Sequence, residues 1–213
     1  MADKVITMES VSKNYQDFAV LDIPKLELST GIYWLKGENG AGKTTTMKVM
    51  AGLLPFRGEI LLNGTVNSRR QPVQYRRLIN YAEAEPLYPA YLTGRDLLEL
   101  YFRTKGGDRA PVFAMATQMG VDNFVNNPVS SYSSGMLKKL SLVLAFVGNP
   151  AIILLDEPLI TIDTKTLAQL YGIIQDSHSA GVSFIITSHQ PLDSSQLTVA
   201  GTLTIENKNL ILN

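Results

Sequence analysis

Apolar and polar positions along this chain alternate between two textures. Lys4 to Met8, Ala19 to Ile23 and Leu26 to Leu28 are short strand-like segments broken by Asp17, Pro24 and Ser29-Thr30-Gly31, the pattern of a small antiparallel sheet. Ile32-Tyr33-Trp34-Leu35 is a compact apolar run that leads through a glycine-rich loop into a helical stretch, Thr45 to Leu54, closed by Gly52 and Pro55. Ile152 to Leu155 and Val182 to Ile186 are apolar at nearly every position, which predicts strands buried on both faces of a mainly parallel sheet.

Between Pro86 and Asn127 the spacing becomes helical, with Leu92, Leu97, Leu98, Leu100 and Tyr101 before the Gly106-Gly107 break and Val112 to Met119 after it. Met136 to Val147 predicts another helix, opened by Ser133-Ser134 and closed by Gly148-Asn149-Pro150, and Leu167, Leu170, Ile173 and Ile174 form one more helical stripe before Gly181. No internal repeat or low-complexity tract interrupts this order. The expectation is one domain over residues 1–213, with a helical lobe at about 86–147 inserted into an α/β core.

Composition narrows the classes. In 213 residues, 45% are apolar and 18% charged, enough for a sizeable core and incompatible with disorder. The 19 basic and 19 acidic side chains cancel, so no nucleic-acid partner is expected. The absence of cysteine excludes a disulfide scaffold, a thiolate zinc site and a thiol nucleophile, and fits a reducing compartment. The most apolar stretch, Leu140 to Leu155, is broken by Gly148-Asn149-Pro150, too early for a membrane-spanning helix, and Met1 to Val5 lacks the pattern of a secretory signal. A cytoplasmic setting is the expectation.

The chemistry begins at Gly37-Glu38-Asn39-Gly40-Ala41-Gly42-Lys43-Thr44, which fits G-x-x-x-x-G-K-[ST]. Its glycines let backbone amides turn around a polyphosphate, and the helix that follows, through Thr45, presents its positive end. Lys43 reaches the β and γ phosphates and the Thr44 hydroxyl serves Mg²⁺. The context of an apolar strand before and a helix after predicts a nucleoside triphosphate ligand. Further on, Ile152-Ile153-Leu154-Leu155-Asp156-Glu157-Pro158 is a buried strand running into two acids. Ligands of open α/β sheets sit at the carboxyl ends of strands, which puts Asp156 beside the metal and Glu157 next to an attacking water.

Tyr132-Ser133-Ser134-Gly135-Met136 then resembles the L-S-G-G-Q signature of ATP-binding cassette proteins, Asp163 stands at the place of their D-loop aspartate, and His189 follows Phe184-Ile185-Ile186-Thr187-Ser188 as their switch histidine does. The order of these motifs resembles the nucleotide-binding subunit of an ABC transporter over nearly the whole chain. That resemblance implies a P-loop NTPase core with a mainly parallel sheet, an N-terminal antiparallel β subdomain and an inserted α-helical subdomain. It implies ATP hydrolysis with Mg²⁺, with Lys43, Glu157 and His189 as catalytic groups and Tyr15 stacking on the base. Ser133 and Gly135 would close over the γ-phosphate of a second cassette in a homo- or heterodimer. Taken from the residues alone, Ser133 to Gly135 also read as a plain helix cap, and Tyr15 as a sheet-packing side chain. His178, in a polar segment, reads as a packed or surface histidine.

The chain departs from the family pattern in places. Where the family has a glutamine three residues after an aromatic, Tyr81-Ala82-Glu83-Ala84-Glu85-Pro86 carries Ala84, and neither Glu83 nor Glu85 takes over that role without placing a fixed negative charge near the γ-phosphate. Tyr132, Ser134 and Met136 replace signature residues, and the D-loop reads Ile160-Thr161-Ile162-Asp163. The leading expectation is an energy-coupling subunit of a transporter, held at the cytoplasmic face of the cell membrane by integral membrane permease chains, with Tyr88 and Tyr91 as docking residues. The alternatives are a cassette ATPase without a transport role and a degenerate ATP-binding partner in a heterodimer.

Overall fold

The computed structural model describes residues 4–16 and 18–213. The chain opens on two long strands, β1 (Lys4–Tyr15) and β2 (Phe18–Ser29), where the sequence predicts three short ones. Pro24 does not break β2, because β2 is the edge of its sheet and Pro24 lies exposed between the paired residues Ile23 and Lys25. β3 (Ile32–Lys36) runs into α1 (Lys43–Met50), which starts inside the glycine-rich motif, earlier than the apolar pattern indicates, and ends before Gly52 at φ 67°. β4 (Arg57–Leu62), β5 (Val66–Asn67), α2 (Pro72–Leu78) and β6 (Ile79–Ala82) follow.

The helical block comprises α3 (Gly94–Lys105), α4 (Arg109–Gln118) and α5 (Ser134–Ala145). α3 opens with a reciprocal cap in which Thr93 Oγ1 accepts the Asp96 amide at 3.1 Å and Asp96 Oδ2 accepts the Thr93 amide at 2.9 Å. Gly106 and Gly107 close α3 with φ of 73° and 88°, and a Cβ on Gly107 would lie 2.7 Å from Gly148 Cα, so only glycine fits this approach of two turns. β7 (Ile152–Leu155), α6 (Thr164–Ser179), β8 (Ser183–Thr187), β9 (Gly201–Glu206) and β10 (Asn209–Leu212) complete the chain.

Two sheets result. One is antiparallel in the order β2-β1-β4-β5; the other has the order β10-β9-β3-β8-β7-β6 and is parallel except for its β9-β10 hairpin. β7 and β8 are buried along their whole length, as the apolar run of β7 and the apolar centre of β8 require. Ile152, Leu154 and Ile185 face a core shared with α1 and the antiparallel sheet, while Ile153, Leu155, Phe184 and Ile186 face a second core built with α3 to α6. The β-strand C-termini of the parallel sheet are thereby packed on both sides and open only at their ends, where the conspicuous polar residues stand.

Candidate active site

β8 lies between β3 and β7, with Leu35 opposite Thr187 and Leu155 opposite Ile186. This register brings the phosphate loop, the two acids and the segment from Thr187 to His189 to one edge of the sheet. In the loop, Gly40 and Gly42 adopt φ of 81° and 100°, and a Cβ on Gly42 would meet Val20 Cγ1 at 3.0 Å. Lys43 Nζ folds back to donate to the carbonyl oxygens of Gly37 at 2.8 Å and Glu38 at 3.1 Å, so the ammonium already hangs over the loop. Glu38, Asn39, Gly40 and Thr44 are exposed around it, with Ala41 and Thr45 half-buried.

Asp156 is buried, and both of its carboxylate oxygens are held. Thr187 Oγ1 donates to Oδ1 at 2.7 Å and the Tyr81 hydroxyl donates to Oδ2 at 3.0 Å. Burial, and then the charge of Asp156, push the Tyr81 hydroxyl well above the usual phenol range, which keeps it a donor. Neither Tyr81 nor Thr187 is assigned a role by the sequence motifs; what marks them is their position at the ends of strands that flank the acidic strand. Glu157 sits at φ 47°, a left-handed conformation that costs a non-glycine residue about 1–3 kcal/mol and persists only where its surroundings fix it. Its amide donates to Thr187 Oγ1 at 2.8 Å, and its Oε2 accepts the His189 amide at 3.2 Å. Oε1 is buried without a hydrogen-bond partner and lies 3.6 Å from His189 Nε2. An unpaired buried carboxylate oxygen is costly in a fold and useful as a proton acceptor.

A residue absent from the motif reading completes this edge. Lys138 of α5 is 1% exposed, and its Nζ donates to the carbonyl oxygens of Glu83 at 2.9 Å, Ala84 at 3.0 Å and Asp156 at 2.9 Å. Burial pushes its ammonium down to about 8 against the opposing pull of Asp156, Glu157 and Glu85. Its place on the apolar helix after the signature gave no sign in sequence that it turns inward. Glu83 itself directs its carboxylate to Lys48, 3.6 Å away.

The signature and D-loop residues form one unit. Ser133 caps α5, accepting the Met136 amide at 3.3 Å, as the helix-cap reading of these residues requires. A Cβ on Gly135 would lie 2.9 Å from the Thr161 carbonyl oxygen, so this glycine permits close contact with the D-loop turn. Asp163 caps α6 through the Thr166 amide at 2.8 Å and pairs with Lys139 at 2.9 Å; these bonds hold its carboxyl well below the usual range. Tyr132 is buried, with its hydroxyl donating to Phe124 O at 2.9 Å and accepting the Gly94 amide at 3.2 Å. The ring of His178, in the last turn of α6, bonds to Val182 O at 3.0 Å in the turn before β8, away from the sheet edge.

Tyr15 is half-exposed at the tip of β1, with Lys13 Nζ 4.7 Å from its ring centre, and it pairs across the hairpin with the still more exposed Phe18. Phe18, not Tyr15, lines a cleft of about 470 Å³ that also includes Val20, Gly40, Ala41 and Lys208. A second groove of about 550 Å³ runs between α3 and the β6 end of the sheet, walled by Val73, Arg77, Glu83, Leu87, Tyr88 and Tyr101. Tyr88 is half-buried in that wall, whereas Tyr91 stands 81% exposed.

Fold and site together define a P-loop nucleoside triphosphatase. A family model described as ABC transporter matches residues 22–160, and the chain belongs to that family as an ATP-binding ATPase cassette. It is 32% identical over 197 residues to ATP-binding cassette sub-family A member 7 of Rattus norvegicus, covering 87% of this chain and 9% of that protein. Over 187 residues it is 28% identical to the lantibiotic transport ATP-binding protein SrtF of Streptococcus pyogenes, covering 87% of this chain and 80% of the relative. The bacitracin transport ATP-binding protein BcrA of Enterococcus faecalis is 31% identical over 189 residues, covering 87% and 61%. Among solved structures, an ATP-binding subunit of an ABC transporter superposes with a TM-score of 0.87 at 22% identity, over 98% of this chain and 89% of that one. A cassette captured as a dimer in a post-hydrolysis state with ADP and Pi gives 0.79 at 16% identity, over 96% of each chain. These structures share the fold.

Proposed function

We propose that this chain is the ATP-hydrolysing half of a transport machine, working against a second cassette and against membrane-spanning permease chains. In this reading residues 1–213 are one cassette, with the helical lobe at about 86–147 carrying the signature. Gly37 to Thr45 hold the phosphates, and Tyr15 supports the base. Among the described residues no cluster of three or more His, Asp or Glu forms a metal cage. The Thr44 hydroxyl and the Asp156 carboxylate are the donor set that suits Mg²⁺ shared with phosphates and water. Mg²⁺ held by these two side chains would supply positive charge to offset that of the transferring phosphoryl group.

Glu157 accepts the proton of the attacking water, and the observation that carries this role is its buried, unpaired Oε1 beside Asp156 and His189. His189 steadies that carboxylate through its backbone amide and offers its ring to the γ-phosphate. Ser133, Gly135 and Asp163 belong to a surface that meets the phosphate loop of the second cassette. Glu157→Gln is expected to bind MgATP like the parent and to lower kcat by about 10²- to 10⁴-fold. Turnover equal to the parent would remove Glu157 from the chemistry.

The apolar groove beside β6 is where a permease segment would seat, which would hold the chain at the cytoplasmic face of the membrane. Among the described residues no helix is long and apolar enough to cross a membrane. The position of Tyr88 in the groove wall supports the docking role better than that of Tyr91. Replacing both with alanine should weaken copurification with a membrane subunit more than isolated ATP binding, and the reverse result would count against docking at this groove.

A further inference from the structure

The peptide that joins Asp156 to Glu157 is held at both ends by side chains. Its carbonyl oxygen accepts from Lys138 Nζ at 2.9 Å, and its N–H donates to Thr187 Oγ1 at 2.8 Å. Glu157 follows at φ 47°, so the direction of its carboxylate depends on the plane of this peptide staying fixed. Lys138 brings an ammonium with three N–H donors to three carbonyl oxygens, and two of these belong to Glu83 and Ala84. Those two residues follow β6 directly, and the chain from Glu83 through Pro86, Leu87 and Tyr88 forms one wall of the groove. The loop contributes main-chain oxygen to this link, while the Glu83 carboxylate points to Lys48 instead.

We infer that Lys138 is a positioning residue that aims Glu157 and mechanically joins the groove wall to the hydrolytic carboxylates. The inference rests on the proposed roles of Glu157 and of the groove. A change in the Glu83–Pro86 backbone moves two of the three acceptors, and the same ammonium carries that change to the third. Because one atom serves both sides, neither can shift without straining or losing bonds on the other.

Steady-state MgATP hydrolysis and equilibrium ATP binding would be measured for the parent, Glu157→Gln, Lys138→Met, Lys138→Arg, Pro86→Gly and Pro86→Gly combined with each Lys138 variant. Lys138→Met is expected to lower kcat at least about tenfold with KM for MgATP within about threefold, and Lys138→Arg, which keeps charged donors, to recover most of it. Pro86→Gly, which loosens the buried Pro86 in the wall, is expected to lower kcat about threefold or more in the parent and to have no further effect beside Lys138→Met. Additive effects, or a raised KM at unchanged kcat, overturn the inference. Should Lys138→Met fail to fold by circular dichroism, Pro86→Gly in the parent decides alone, and an unaltered kcat there overturns the link. Parent turnover that is lost in Glu157→Gln but indifferent to Lys138 removes this inference only; absence of Glu157-dependent turnover removes the proposed function with it.

Discussion

Thr187 Oγ1 donates its proton to Asp156 Oδ1 across 2.7 Å and itself accepts the amide of Glu157 at 2.8 Å. One buried hydroxyl thus fixes the carboxylate proposed for the metal and the backbone of the residue proposed as base. Thr187→Val keeps the shape but leaves a buried carboxylate oxygen and a buried N–H without this partner, which should cost about 1–3 kcal/mol in urea unfolding. Turnover should fall with it, and Thr187→Ser should restore both. A valine variant with the parent's stability and kcat would show that the hydroxyl is dispensable.

Two aromatic rings at the mouth of the first hairpin are candidates for the proposed stacking on the nucleobase. Tyr15 occupies the position the family resemblance points to, yet Phe18 lines the cleft next to Gly40 and Ala41. Base stacking contributes about 1–3 kcal/mol per ring removed, a roughly 5- to 150-fold change in affinity. Tyr15→Ala and Phe18→Ala, titrated with ATP and then with GTP, should each weaken both nucleotides alike. If only one variant weakens binding, that ring is the platform.

Tyr132 stands where the signature has an aliphatic residue, and its hydroxyl ties the start of α3 to the turn at Phe124. Tyr132→Phe keeps the edge-to-face contact with Phe124, whose centroid is 4.8 Å away, and removes only the two polar links. Unfolding free energy should drop by about 1–3 kcal/mol. ATP binding to the phosphate loop should not change.

Lys105, at the end of α3, donates to the carbonyl oxygens of Arg76 and Ile79, and burial together with Arg76 lowers its ammonium from 10.5 to about 8. Below about 8 both folded and unfolded chains carry this proton, and the fold bears the full cost of holding it. Between about 8 and 10.5 the folded chain releases it first, so the contribution of this group to stability rises with pH across that window. Urea midpoints of the parent and Lys105→Met, taken below and within the window, should converge or cross in favour of the parent as pH rises. Parallel midpoints would place the titration elsewhere.

The parts of this molecule that sequence displays are those in which a local pattern and a chemical need coincide. The phosphate loop, the all-apolar β7, the apolar centre of β8 and the capped helices α3 to α6 each carry their own signal in consecutive residues. Asp156 and Glu157 were visible because they end such a strand. Lys138, Tyr81 and Thr187 were not, since their roles depend on which strands and helices become neighbours. A lysine on a helix is ordinarily solvated, and nothing within a few residues of Lys138 announces three inward carbonyl groups. The strands β4, β5, β9 and β10 and the short α2 lacked distinctive periodicity and acquire their form from sheet pairing. Pro24 misled for the opposite reason: a strong local breaker is harmless on an edge strand.

The Asp156–Thr187 pair also solves a folding problem that has nothing to do with ATP. β7 reads Ile-Ile-Leu-Leu and its neighbour β8 is apolar at its centre, so sliding one strand past the other by two residues would exchange aliphatic side chains for near equivalents. A slipped pairing would leave the Asp156 carboxylate facing hydrocarbon, while at the other end of β8 the Gly31 amide, donating to Ser183 Oγ at 3.2 Å, fixes that strand against β3. The polar residues at the two ends act as registration marks for a greasy sheet. In that sense residues at the proposed nucleotide site also serve to align the chain.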